Sequence, residues 1–220
     1  MIIELAKHFF CYTTKKELIS LLNNLILLLL SYLLGSIPFG LLIGLYIYHQ
    51  DIRQVGSGNI GTTNAFRAYG PFGGTFVFLL DMLKGGLPVL LASSCSTLIT
   101  WHPLVFGLAS VIGHIFPIFL KFKGGKAVAT SFGLGLFYTP IISLLGISAF
   151  FVCLFLSKLV SLSSMVGVFT AMILSYTISD DWFLRIIITA LLLLVIYRHK
   201  LNIQRIIQGT ERKINFRKKK

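Results

Sequence analysis

Three polar segments interrupt a strongly apolar chain, and each carries residue types suited to handling anions. The first runs from Asp51 to Arg67 and holds Gly56, Ser57, Gly58, Asn59, Gly61, Thr62, Thr63 and Asn64. Glycine lets backbone N–H groups converge on an anion, and a helix that follows aims its positive end at the same place. Arg67 adds a planar guanidinium that matches phosphate or carboxylate. A tight inter-helical turn would explain the glycines alone. Ser57, Asn59 and Arg67 bring an anion-binding loop level with it.

The second segment, Gly113 to Thr130, contains Lys121, Lys123, Gly124, Gly125 and Lys126 directly before an apolar run. The positive end of a helix dipole disfavours cations, so three lysines there make sense around a bound anion. Anchoring of lysines on the inner membrane face explains the charges but not the Gly124–Gly125 pair. The spacing is not that of a nucleotide P-loop, because Ala127 follows Lys126 where Ser or Thr is required. The third segment, Tyr197 to Glu211, places His199 and Asn202 three apart, on one face of a helix. Alone, that pair more often marks a satisfied interfacial histidine than a catalytic one.

Smaller features lie nearby. Asp81 and Lys84, also three apart, sit within an apolar run, where charges are paired or functional by default. Ser161, Ser163 and Ser164 open another run, where capping is the simplest role. Cys11, Cys95 and Cys153 are widely separated and show no ligand spacing, so neither a disulfide framework nor a metal site is expected.

These segments need rigid elements to bring them together, and composition says which kind. Of 220 residues, 55% are hydrophobic and only 12% charged, against about a quarter charged in soluble domains. No Asp, Glu, Lys or Arg occurs over 18–50, 85–120, 127–157 or 159–179. Each run can cross a bilayer as a helix of ~20 residues. The fold class is therefore all-α, a polytopic helical membrane protein. Breakers suggest about seven spans, near 22–48, 72–97, 102–120, 127–139, 140–157, 160–178 and 182–198. Pro140 splits the run 127–157, and the piece before it is short for a crossing.

The chain carries a net charge of +13, and nine of its 20 cations lie between Arg198 and Lys220. Such a tail marks the cytoplasmic end and touches anionic lipid more readily than nucleic acid. Seven spans then put the N-terminus outside and all three polar segments on the cytoplasmic face. Six spans would separate the first two from the third. The layout is a leader over 1–20, one seven-helix membrane domain over 21–211 and a basic cytoplasmic tail over 212–220. The leader shows no signal-peptide pattern.

Three stretches strongly resemble the motifs of one family, the bacterial acyl-phosphate-dependent glycerol-3-phosphate acyltransferases. They are Gly56 to Arg67, then Gly113-His114-Ile115-Phe116-Pro117 with Phe122 to Lys126, then His199, Asn202 and Ile203 with Gly209 and Glu211. The resemblance runs from about Leu30 to Glu211. It implies transfer of a fatty acyl group from acyl phosphate to the 1-hydroxyl of glycerol 3-phosphate. The products are lysophosphatidic acid and phosphate, in phospholipid synthesis at the inner or plasma membrane. It also implies Ser57, Arg67, His199 and Asn202 as catalytic residues. Gly56, Gly58, Asn59, Asn64, Lys123, Gly124, Gly125, Lys126 and Ser164 are the implied substrate contacts, with the Lys126 turn cradling glycerol phosphate. Membrane lipid and an upstream enzyme producing acyl phosphate are the implied partners, with no cofactor and no nucleic acid.

Acyl phosphate is already activated, so holding the hydroxyl in line and neutralising charge would suffice. Either His199 or the donor's own phosphate can take the proton, and the surrounding cations favour the phosphate. None of the five histidines has Asp five positions on, which argues against an acyl-CoA donor. Ala127 stands where the family usually has glycine, Thr62 where it has alanine, and Lys200 where arginine is frequent. Ala127 is strained if the position needs positive φ and harmless if it is simply the first helical residue. A transporter for a small anionic solute is the alternative, but it calls for internal repeats and a mid-membrane site. No repeat is visible. A basic-tailed scaffold leaves the glycine loops unexplained.

Overall fold

Proline and glycine decide where the apolar runs break. The computed structural model describes residues 2–214, with side chains from residue 15 onward, and all its regular structure is helical. The side chains of residues 1–14, that of Cys11 among them, and the tail from 215 lie outside this description. Helix α1 (Ile2–Ser36) stops because Pro38 disfavours helical geometry at Ile37. A short α2 (Phe39–Tyr46) follows, so the expected single span over 22–48 is instead a helix through Ser36 and a separate one after it. The loop over 47–61 leads into α3 (Thr62–Ser94), kinked at Gly70, whose φ of 71° precedes Pro71.

Helix α4 (Pro103–Ile115) starts on a proline, which lacks an N–H that would be unpaired there anyway. The second polar segment connects it to α5 (Val128–Tyr138), and Pro140 separates α5 from α6 (Pro140–Ser157). Then come α7 (Val160–Ile178), α8 (Trp182–Arg198) and α9 (Lys200–Ile207). Asp181 caps α8 by accepting from the N–H groups of Phe183 and Leu184.

Five helical stretches are long and apolar enough to cross a membrane, and α8 with α9 makes a sixth that is bent by 60°. Helix α5 has eleven residues, about 16 Å at 1.5 Å per residue, against ~30 Å of hydrocarbon. It packs inside the bundle, against α3. A Cβ on Gly133 would lie 1.9 Å from the Met82 carbonyl oxygen, so only glycine permits this approach.

The two charges buried in the middle of α3, Asp81 and Lys84, are paired. Lys84 Nζ lies 2.7 Å from Asp81, both side chains 2% exposed, and donates to the Ile37 carbonyl at 2.9 Å. One lysine thus neutralises a buried carboxylate and satisfies a carbonyl freed by the break between α1 and α2. Ser110 of α4 donates to the Lys84 carbonyl at 2.7 Å, tying a third helix to this point.

Candidate active site

The first polar segment folds around Asn64. Its amide donates to the carbonyls of Ile52 (3.0 Å) and Val55 (2.9 Å), and its oxygen accepts from the Ser57 N–H (3.0 Å). Both amide hydrogens are therefore spent on the loop. Gly56 adopts φ +62°, and a Cβ there would sit 2.3 Å from the Asn64 oxygen. Gly58 also has positive φ, at 71°. The loop thereby presents Gly56, Ser57 and Gly58 to solvent, with Asn59 half-buried beside them and Arg67 exposed in the second turn of α3.

The second segment is a backbone lattice. The N–H groups of Gly124 and Gly125 donate to the carbonyls of Ile115 and His114, each at 3.1 Å. Arg198, at the end of α8, donates to the carbonyls of Gly124 (2.9 Å) and Gly125 (3.2 Å). Ala127 has φ +56° and caps α5, which settles the backbone question in favour of the strained alternative. Lys123 is exposed, whereas Lys126 turns inward and donates to the Asn202 side-chain oxygen. Burial pushes the Lys126 ammonium down to about 8; Glu211 opposes the shift, and the guanidiniums of Arg205, Arg198 and Arg67 add to it.

That last effect places Arg67, from the first segment, in the same electrostatic neighbourhood as Lys126. The first N–H groups of α5 have no intrahelical acceptor and point toward the same turn. Together these groups form a cationic, donor-rich cradle suited to phosphate.

The third segment closes the arrangement. His199 is 3% exposed, and its Nδ1 lies 2.8 Å from the Val195 carbonyl. A carbonyl only accepts, so Nδ1 carries the proton and the Nε2 lone pair is left free. Asn202 donates to Glu211 Oε1 at 2.6 Å, which turns its amide oxygen to Lys126. Glu211 also accepts from Ser161 (2.7 Å) and Arg205 (2.7 Å). Burial raises the Glu211 carboxyl, but these three hydrogen bonds prevail and hold it below the usual range.

The structure therefore brings Lys126, Gly124, Gly125, His199 and Asn202 together, with Arg67 close by in charge. Ser57 reaches only the Asn59 N–H, at 3.5 Å. Ser164 is buried and bonded back to the Val160 carbonyl at 2.9 Å, while its neighbour Ser161 joins the network. Sequence reasoning gave no site role to Arg198, Glu211, Ser161 or Arg205, although Glu211 belongs to the third motif and Ser161 reads as a cap. Glu211 carried a signal, as the one acid among the nine cations of the C-terminal segment. Arg198 carried none that set it apart from its basic neighbours.

Comparison with known proteins bears on the chain as a whole. The family model described as glycerol-3-phosphate acyltransferase matches residues 25–209. A glycerol-3-phosphate acyltransferase of Bacillus subtilis is 49% identical over 191 residues, covering 87% of this chain and 97% of the relative. One from Geobacillus kaustophilus is 48% identical, with 87% and 96% covered. The crystal structure of an integral membrane glycerol 3-phosphate acyltransferase in its glycerol 3-phosphate form superposes with a TM-score of 0.82 at 37% identity, covering 87% of this chain and 96% of that one. Its lysophosphatidic acid form gives 0.80 at 35% identity, with 87% and 95% covered. The three segments, their convergence and the match through 25–209 lead to one assignment: this chain belongs to the glycerol-3-phosphate acyltransferase family.

Proposed function

We propose that this membrane glycerol-3-phosphate acyltransferase takes its acyl group from an acyl phosphate and places it on the 1-hydroxyl, releasing lysophosphatidic acid and inorganic phosphate. The glycerol hydroxyl oxygen forms the new bond to the carbonyl carbon. The bond from that carbon to the phosphate oxygen breaks, and phosphate leaves with the bonding pair. The observation that carries this reading is the cradle in which Lys126, the Gly124–Gly125 turn and the start of α5 meet His199 and Asn202.

Two phosphates must be held at once. The turn around Lys126 is assigned to glycerol 3-phosphate, beside His199 and Asn202. Ser57 and Arg67, with the backbone of Gly56, Gly58 and Asn59, are assigned to the donor's phosphate. Asn64 then acts by shaping that loop. Ser164 has no contact that supports a substrate role, and Ser161 supports Asn202 through Glu211 instead. His199, with Nδ1 bound to Val195, orients the hydroxyl through Nε2, and the departing phosphate is the favoured proton acceptor.

The topology consistent with this has the N-terminus outside and the site facing the cytoplasm, where both phosphorylated substrates are water-accessible. The seventh crossing depends on α5. Exposed apolar side chains such as Phe151, Phe155 and Leu156 suit contact with lipid.

Arg67→Ala and Lys126→Ala test the assignment. Charge-assisted hydrogen bonds are worth about 1.5–3 kcal/mol, so each variant should lose about tenfold or more in kcat/KM while staying monodisperse in detergent. Near-normal kinetics in both would remove these residues from the site.

A further inference from the structure

Arg198 precedes His199 in sequence, yet its guanidinium reaches across to the second polar segment. Nε donates to the Gly125 carbonyl at 3.2 Å and Nη2 to the Gly124 carbonyl at 2.9 Å. From the opposite side, the carbonyls of His114 and Ile115 accept the N–H groups of Gly125 and Gly124. The turn is thus held between α4 and the end of α8. There is no room for substitution within it: a Cβ on Gly124 would lie 2.1 Å from the His114 carbonyl oxygen.

The C=O and N–H of a trans peptide point in opposite directions. With the Gly125 carbonyl fixed on Arg198, the Lys126 N–H must point away from the guanidinium. Among the described residues that N–H has no protein acceptor. The first N–H groups of α5, which have no intrahelical acceptor, follow it directly in the chain.

We infer that Arg198 is a positioning residue: by clamping the Gly124 and Gly125 carbonyls to the helix end that carries His199, it aims the turn at the acceptor's phosphate and fixes its distance from His199. The acceptor must place its phosphate in the cradle and its reacting hydroxyl at His199 together, so the clamp sets the separation an acceptor must match. This rests on the reading that the Lys126 turn holds glycerol 3-phosphate. The two-pronged guanidinium is the essential feature. A lysine is a point donor that can satisfy one carbonyl but does not fix a pair.

The test is steady-state kinetics of Arg198→Gln and Arg198→Lys, with inorganic phosphate as a competitor of glycerol 3-phosphate and Lys126→Ala run alongside. Arg198→Gln should raise the KM for glycerol 3-phosphate and the Ki for phosphate about tenfold, with the KM for acyl phosphate within twofold of wild type. Arg198→Lys should fall between the two. A merely structural arginine would instead reduce the active fraction, lowering kcat with both KM values unchanged, and that result overturns the inference. If Arg198→Gln does not fold, Arg198→Lys decides: an acceptor KM equal to wild type counts against the clamp. Lys126→Ala separates the two layers. An unchanged acceptor KM there means the turn does not hold the acceptor, and the underlying reading fails. A raised acceptor KM there, with wild-type values in both Arg198 variants, leaves that reading standing and removes Arg198 alone.

Discussion

Lys126 works as a cation in a place that disfavours cations. Its ammonium, lowered to about 8 by burial, loses its proton as pH rises through that value, so the attraction for phosphate is present below it and lost above it. The kcat/KM for glycerol 3-phosphate, which reports the free enzyme, should therefore fall on an alkaline limb near pH 8. Lys126→Arg should flatten that limb, because a guanidinium does not titrate there. A limb unchanged in Lys126→Arg would assign it to another group. For His199, whose Nε2 faces the hydroxyl as an acceptor, Gln keeps an acceptor oxygen at similar reach. His199→Gln should retain more activity than His199→Ala, and its kcat profile should keep the wild-type shape. Loss of an ascending limb near neutrality in His199→Gln alone would make His199 the base. Ala127 offers a stability test, since its φ of +56° strains a residue with a Cβ. Relief of about 1 kcal/mol in Ala127→Gly, partly offset by glycine's extra unfolded-state freedom, should raise the thermal midpoint by about 1–2 °C, and a drop would show that Ala127 sits there without strain.

At the scale of elements, the Asp81–Lys84 pair joins α3 to the break after Ser36. Removing one partner of a buried pair typically costs about 3–5 kcal/mol, because the other charge is left unpaired. Lys84→Met should lower the thermal midpoint sharply, and Asp81→Asn added to it should recover part of the loss. Equal destabilisation in the single and double variants would show that the Ile37 carbonyl contact, not the ion pair, matters. The pairing was legible in the sequence from spacing and apolar context alone. Its partner at Ile37 was not, because nothing local links residues so far apart in the chain. The same limit explains the span over 22–48. It carries no charge, and the consequence of Pro38 is local geometry that an apolar count does not register. The polar segments fared better, since glycine, lysine and asparagine inside apolar runs have few structural uses. What escaped was the support: Arg198, Glu211 and Ser161 act through bonds to distant segments.

Across the whole molecule, short loops and small-residue packing gather three segments, far apart in sequence, around Lys126. Charge asymmetry and the position of the basic segment favour a cytoplasmic site. Single cysteines placed at 53, 123 and 213 should then all label from that side only, and labelling of 123 from the opposite side to 213 would break the shared site. The most direct measurement concerns the chemistry itself. Purified protein is given glycerol 3-phosphate with either acyl phosphate or acyl-CoA, and lysophosphatidic acid and inorganic phosphate are both quantified. Acyl phosphate should give the two products in equal amounts, with acyl-CoA giving neither. Lysophosphatidic acid formed from acyl-CoA at a comparable rate, or none formed from acyl phosphate, would contradict the proposed donor and the two-phosphate site built for it.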